Sequence, residues 1–382
     1  MNGFDPARGF GVYVHWPYCA RICPYCDFNV YAAKARDTGP LFDALLRDLE
    51  GWRGRTGERE VSSIFFGGGT PSLMSGAQVA QLIAHVRSLW NVTPGAEITL
   101  EANPDDLARF GEFAEAGVDR LSLGVQSLDD ERLKFLGRTH SAGDALKALD
   151  EARGKFRSIS IDMIYAVPGQ TLEDWRGELS RALALGADHL SLYELSIEPG
   201  AAFAFAVKRK AWAPASDDEA AELFEATQEM SEAAGLPAYE ISNHARGAEH
   251  RSVHNGIYWK CGDWAGVGPG AHGRLTIGGK RWAVEAAEKP GAYLHHVKTN
   301  GLGWSVVDEL DAVGQARERV AMGLRVVEGF AVADVEALRL KVNAENVAML
   351  VKLGFVVERD GRVALTPEGR LRADRIAAEI AP

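Results

Sequence analysis

Six short apolar runs mark the first half of the chain: FGVYVHW (10–16), VSSIFF (61–66), EITLE (97–101), VDRLSLGV (118–125), SISIDMI (158–164) and DHLSLYE (188–194). Between them, 40–52, 76–90, 104–117, 141–153 and 171–186 have helical composition and spacing. Strand and helix alternate throughout, which predicts βα units around a parallel sheet. The polar residues gather at the strand ends. The cysteines lie beyond the first strand and Gly67-Gly68-Gly69-Thr70 beyond the second. Glu101, Gln126, Asp162 and Glu194 close the next four. In a parallel barrel all of these face one rim, where barrel enzymes do their chemistry. The predicted fold is therefore α/β, a partial parallel (βα)6, TIM-like barrel over residues 1–210.

Beyond 210 the pattern changes. Residues 216–235 read as one helix, capped by Ser216 and stopped by Gly235, followed by an irregular stretch over 239–304 rich in Gly, Trp and His. These make a second region, 211–304. The last, 305–382, offers helices near 308–325, 331–339 and 343–353 and a hairpin over 355–365 turning at Asp360-Gly361. That order predicts a small winged-helix-like domain.

At 382 residues, 46% hydrophobic and 25% charged, the chain has ample material for a globular core. No run of about 18 apolar residues is present to span a membrane. The opening MNGFDPARGF lacks the basic-then-apolar pattern of a secretory signal. A cytoplasmic location is expected, with peripheral membrane contact left open. The net charge of −11 argues against general nucleic-acid binding. The tail arginines 362, 370, 372 and 375 are largely offset by neighbouring acids. There is no repeat of roughly 20–50 residues.

Three of the four cysteines, Cys19, Cys23 and Cys26, fall in VYVHWPYCARICPYCDFNVY with the spacing C-x3-C-x2-C. In a reducing compartment such a group suggests metal before disulfide. Structural zinc wants four closed ligands, whereas catalytic zinc needs three, so the spacing alone leaves zinc beside an iron–sulfur cluster. The cluster is the favoured reading. A four-iron cluster on three thiolates keeps one iron open for a small amine- and carboxylate-bearing ligand.

Nearly end to end, the chain resembles the radical S-adenosylmethionine superfamily, specifically its coproporphyrinogen dehydrogenase-like branch. The stretches that carry the resemblance are YVHWPYCARICPYCDF, FFGGGTPSL, LEANPDD, RLSLGVQS, FLGRTH, DMIYAVPGQT, HNGIYW and GVGPGAHG. The resemblance implies a [4Fe–4S] cluster on Cys19, Cys23 and Cys26, which reduces S-adenosylmethionine to a 5′-deoxyadenosyl radical. It further implies Gly68, Gly69 and Thr70 at the methionine end, Arg138 on its carboxylate and Glu101 on its amino group. Gln126 and Asp162 would stand near the ribose, with Tyr13 and Tyr25 flanking the cluster. The chain departs from the branch at Trp16, usually Ile, and at Ala166-Val167, usually Gly-Leu.

The branch holds HemN-type dehydrogenases, which decarboxylate coproporphyrinogen III, and HemW-type haem chaperones. HemN-type motifs continue to a fourth cysteine, C-x3-C-x2-C-x-C; here that position is Phe28, as in the HemW type. The resemblance thus implies haem as bound ligand and haem-requiring proteins as acceptors, with porphyrinogen decarboxylation as the alternative. Six of the ten histidines lie in 239–304 beside Tyr239, Tyr258, Trp259, Trp264 and Trp282. His254, then His250, are the axial candidates. Cys261 reads as a structural thiol or a thiolate ligand. Exposed aromatics in this stretch would permit a homodimer.

Overall fold

The computed structural model describes residues 4–33 and 37–382. An eleven-stranded sheet forms its framework. The six apolar runs become β1 (Phe10–Trp16), β2 (Glu60–Gly68), β3 (Asn91–Ala102), β4 (Arg120–Gln126), β5 (Ser158–Tyr165) and β6 (His189–Glu194). They lie side by side in chain order, each neighbouring pair parallel. Crossover helices α1 (Gly39–Thr56), α2 (Gly76–Leu89), α3 (Ala142–Ala152) and α4 (Leu172–Ala184) connect them. Three of these helices begin in capping boxes, Ser75 with Gln78, Ser141 with Asp144 and Thr171 with Asp174. Each cap is worth about 1 kcal/mol. The stretch 104–117 divides into a 3-10 turn, Pro104–Arg109, and a short helix, Phe110–Glu115.

Side chains along the central strands alternate. Val12, Ile64, Leu100, Leu123, Ile161 and Leu190 join the helices in one continuous core. The opposite face carries Tyr13, Thr99, Glu101, Ser122, Ser160, Asp162, His189 and Ser191 around an internal cavity. The interior of a packed barrel is dominated by branched aliphatics. This lumen is polar.

The sheet does not close. Past β6 comes the antiparallel β7 (Asn243–Ala245), and past β1 the parallel β8 (Asp263–Val267). Antiparallel β9 (His272–Ile277), β10 (Lys280–Ala286) and β11 (Trp304–Leu310) follow. The stretch expected to be irregular, 239–304, is thus mostly regular, made of strands β7 to β10 and helices α6 (Val253–Trp259) and α7 (Pro290–Asn300). These helices follow α5 (Asp217–Ala233), which Ser216 caps. The hairpin β9–β10 turns on Gly278 and Gly279, both at positive φ, a conformation glycine adopts without steric cost. Tyr239 is buried, and Tyr258, Trp259, Trp264 and Trp282 are half-buried, so they form no exposed aromatic patch for a dimer.

The tail is a helix–strand–helix–helix–hairpin unit, in winged-helix order. It comprises α8 (Ala312–Arg325), β12 (Phe330–Ala331), α9 (Val332–Glu336), α10 (Ala344–Lys352), β13 (Val356–Arg359) and β14 (Arg362–Leu365). The helix expected from 308 begins at Ala312, because β11 runs to Leu310 and Asp311 caps the helix. Asp360 and Gly361, both at positive φ, turn the hairpin as expected. A final helix, α11 (Ala373–Ile380), was not anticipated; its Ile376 and Ile380 complete a separate core with Val320, Leu324 and Phe330. Glu318 ties this unit to the large sheet by pairing with Arg274 at 2.8 Å and Arg281 at 2.9 Å. Among the described residues no helix is long and apolar enough to cross a membrane.

Candidate cluster and cofactor cavity

The cysteine loop leaves the end of β1 and is held on three sides. Gly69 N–H donates to Trp16 O at 2.7 Å and Thr70 N–H to Tyr18 O at 2.9 Å, fastening it to the glycine segment. A Cβ on Gly69 would stand 2.8 Å from Tyr18 O, and one on Gly68, at φ +105°, 2.5 Å from the His15 ring. Glycine is therefore required by packing as well as by any ligand. On the second side, the Asn29 amide donates to Pro269 O at 2.9 Å and Glu288 O at 2.8 Å. This gives the GVGPGAHG segment a role as anchor. On the third, Phe203 N–H donates to Pro24 O at 2.9 Å, and Gly137 leaves room for the Pro24 ring.

One cavity of about 1350 Å³ of empty space, open to solvent, lies above the sheet. Cys19, Cys23, Cys26, Tyr25, Gly68, Gly69, Thr70, Glu101, Gln126, Arg138 and Asp162 all line it. They come from four strand ends and two loops, so proximity in sequence did not assemble them. Tyr13 does not line this cavity. It lies one layer deeper, its hydroxyl 2.9 Å from His15 Nδ1, because β1 turns that position into the lumen. A neighbouring cavity nonetheless brings it together with Asp27, Phe28, Gly68 and Glu101.

Electrostatics give the cavity its character. Glu101 is half-buried and accepts only the Gly68 N–H, at 3.2 Å. Burial first, then neighbouring Asp162, push its carboxyl up to about 8. Burial also raises Asp162, against the hydroxyls of Ser122 at 2.8 Å and Ser160 at 3.2 Å. Arg138 donates to Cys23 Sγ at 3.4 Å, to Gly124 O at 3.1 Å and to Asn103 Oδ1. Among the described residues Glu101 has no cationic partner and Arg138 no carboxylate. An acid and a base left unmatched across one cavity suit a zwitterionic amino-acid ligand.

The four cysteines are free thiols, and burial raises Cys19 and lifts Cys26 to about 11. Among the described residues no three His, Cys, Asp or Glu side chains are grouped as for a single ion. A four-iron cluster instead takes each thiolate on a different iron.

The haem candidates are placed elsewhere. His254 is buried on α6, inside the lumen. Its Nδ1 is 2.8 Å from Ser63 Oγ and its Nε2 2.7 Å from Tyr258 Oη, with the ring stacked 5.0 Å from Phe65. Both nitrogens are engaged and burial pushes its pKa down to about 3, so it is a core histidine rather than an axial ligand. His250, one-fifth exposed, sits by Ser158 and Asp188 at the N-terminal ends of β5 and β6. That is the far end of the barrel from the cysteines. Cys261 is buried and its thiol is pushed up to about 11.

Several participants escaped the sequence reading, notably Asn103, Ser122, Ser160, His189 and Tyr193. Their signal was present. Ser158, Ser160 and Asp162, like His189, Ser191 and Tyr193, occupy alternate positions of strands whose other positions are aliphatic.

The sequence profile of the radical SAM superfamily matches residues 13–181, and that of the HemN C-terminal domain residues 310–372. The mouse (Mus musculus) radical S-adenosyl methionine domain-containing protein 1, mitochondrial, is 41% identical over 326 residues, 83% of this chain and 73% of that one. The heme chaperone HemW of Escherichia coli is 41% identical over 270 residues, 70% of each chain. That of Mycobacterium tuberculosis is 35% identical over 378 residues, 97% of this chain and 94% of that one. Among solved structures, coproporphyrinogen III oxidase (HemN) from Escherichia coli superposes with a TM-score of 0.80. It covers 98% of this chain and 90% of its own at 23% identity, a likeness of fold. With these relatives and this barrel, the chain belongs to the radical SAM superfamily and, within it, to the HemW family.

Proposed function

We propose that this protein is a haem chaperone: it binds haem, holds a [4Fe–4S] cluster and S-adenosylmethionine, and passes haem to proteins that require it. The observation that carries the reading is the 35% identity, over 97% of the chain, to a protein named heme chaperone HemW. Phe28 agrees with it. It stands 60% exposed at the cavity wall where HemN-type chains continue to a further cysteine.

Membership of the superfamily implies the cluster and S-adenosylmethionine. The cluster, when bound, supplies an electron to the cofactor. Cys19, Cys23 and Cys26 are the residues that would hold it. Burial keeps Cys19 and Cys26 protonated at neutral pH, so loading must release protons and is favoured by rising pH. Arg138 presents its planar fork to a carboxylate. Glu101 accepts from an amino group and gives up its own proton on doing so. Gln126 and Asp162 receive the ribose hydroxyls, Asp162 being held in place by Ser122 and Ser160. The backbone of Gly68 and Gly69 lines the methionine end, and Tyr25 covers Arg138 and Cys23. The thiols require a reducing compartment, for which we propose the cytoplasm; the mouse relative is named as mitochondrial.

The test has two arms. Reconstituted protein is incubated anaerobically with coproporphyrinogen III, S-adenosylmethionine and a reductant, beside an active dehydrogenase, and products are weighed by mass spectrometry. No loss of carboxyl groups is expected. Haem is then titrated and followed by absorbance, with saturable binding expected. Decarboxylation, or no haem binding, would overturn the proposal.

A further inference from the structure

A second large cavity, with about 1810 Å³ of empty space, lies at the other end of the barrel. It is the cleft between the C-terminal unit and the N-terminal ends of β1 and β8, with α6 as its floor. One wall is apolar. Trp259 stands edge-on to Tyr239 at 5.7 Å, Val253 is 42% exposed, and Val326 and Phe330 face them from the C-terminal unit.

The remaining wall is cationic. Arg8, Arg251, Lys260, Arg319 and Arg362 line it against three acids, Asp5, Glu328 and Asp334. The acids are already taken: Arg8 pairs with Asp5 at 3.2 Å and Asp334 at 2.6 Å, and Arg251 with Glu328 at 2.7 Å. Arg319 and Arg362 donate instead to main-chain carbonyls, of Asp334 and of Glu328 and Gly329, which leaves their charge unneutralised. Burial first, then the nearby Arg8, press the Arg319 pKa down, against the pull of Asp334, which Arg8 already pairs.

We infer that this cleft binds a flat, dianionic tetrapyrrole, its macrocycle against Trp259 and Val253 and its two carboxylates toward Arg319 and Arg362. The excess of two positive charges equals the charge of a pair of propionates, whereas a nucleoside triphosphate would bring more. The apolar wall suits a disc with little polar edge. This inference rests on the haem-chaperone reading and gives it a place, apart from the cluster cavity.

The test uses the full-length protein and ferric haem as probe, with absorbance and tryptophan fluorescence as readouts. Arg319→Gln/Arg362→Gln removes the two charges. Val253→Trp, at an exposed position, fills the cleft and leaves the ion pairs alone. Each variant is checked for native circular dichroism. The expected result is a loss of haem affinity of about tenfold or more in each folded variant. Wild-type affinity in both would overturn the site and leave the chaperone reading standing. Absence of haem binding by the wild-type chain would overturn that reading itself, and the site with it.

Discussion

Two layers of the same barrel treat their polar side chains in opposite ways. At the upper rim, Glu101 and Arg138 face a cavity with no opposite charge to meet. One layer down, His254 has Ser63 and Tyr258 on its two ring nitrogens, and His189 has Ser160 and Tyr239, each at 2.7–2.8 Å. The two layers differ in burial, Glu101 and Arg138 being half-buried at an open cavity and both histidines fully buried, and they differ still more in saturation. A buried polar group whose partners are all internal is structure, and one whose partner is missing is waiting for a ligand.

The largest effect expected from that contrast is at the cysteines. Cys19→Ala/Cys23→Ala/Cys26→Ala should abolish iron content and visible absorbance after reconstitution; a variant that keeps both would remove the cluster from this cavity. Next, Arg138→Gln should weaken S-adenosylmethionine binding by about 10–100-fold, the worth of a charge-assisted hydrogen bond of roughly 1.5–3 kcal/mol, with iron content retained. Equilibrium dialysis with the labelled cofactor reads it.

His254→Ala probes the saturated layer. It should lower stability by about 2–4 kcal/mol, by leaving Ser63 and Tyr258 unpaired beside a cavity, and spare haem affinity in the folded fraction. A denaturant melt and a haem titration separate the two effects. The unmatched layer should show in pH dependence instead. Glu101 has a folded pKa of about 8, above its ordinary value of 4.5, so the folded state holds the extra proton. Its contribution is fully present below about pH 4.5 and is lost as pH rises to about 8. Asp48, lifted by burial to about 7 beside Tyr293, acts in the same direction. The buried histidines His15, His140, His189, His244 and His254, whose pKa burial lowers, act the other way below about pH 6.5. The melting temperature of the cluster-free protein should therefore fall between about pH 7 and 8, and less steeply in Glu101→Gln. The smallest effect concerns Ala166, held at φ +58°. Ala166→Gly should stabilise by up to about 1 kcal/mol, readable as a small rise in melting temperature.

Much of the barrel was legible because each of its six central strands is an apolar run bounded by polar punctuation. The cysteine spacing and the strand-end residues named most of the upper cavity. The edge strands were hidden, since HGRLTI and KRWAVEA mix charge, glycine and aliphatics and pair only with one another and with β8 and β11. Composition misled at His254, and it did not show that Tyr13 faces the lumen rather than the cysteine cavity. A histidine among aromatics looks like a ligand until its two nitrogens are seen to be occupied, and an aromatic near the cysteines in sequence can be turned away by one strand position. The cleft under the C-terminal unit was out of reach, because its arginines come from residues 8, 251, 319 and 362, which only the folded chain brings together.

The most direct test of this division is a calorimetric titration of ferric haem into anaerobic, cluster-loaded protein, with and without saturating S-adenosylmethionine. Two separate sites predict one haem per chain and nearly the same affinity in both experiments. If haem affinity instead falls in proportion to the S-adenosylmethionine added, the two ligands share the upper cavity, and the account of two ends with two tasks is contradicted.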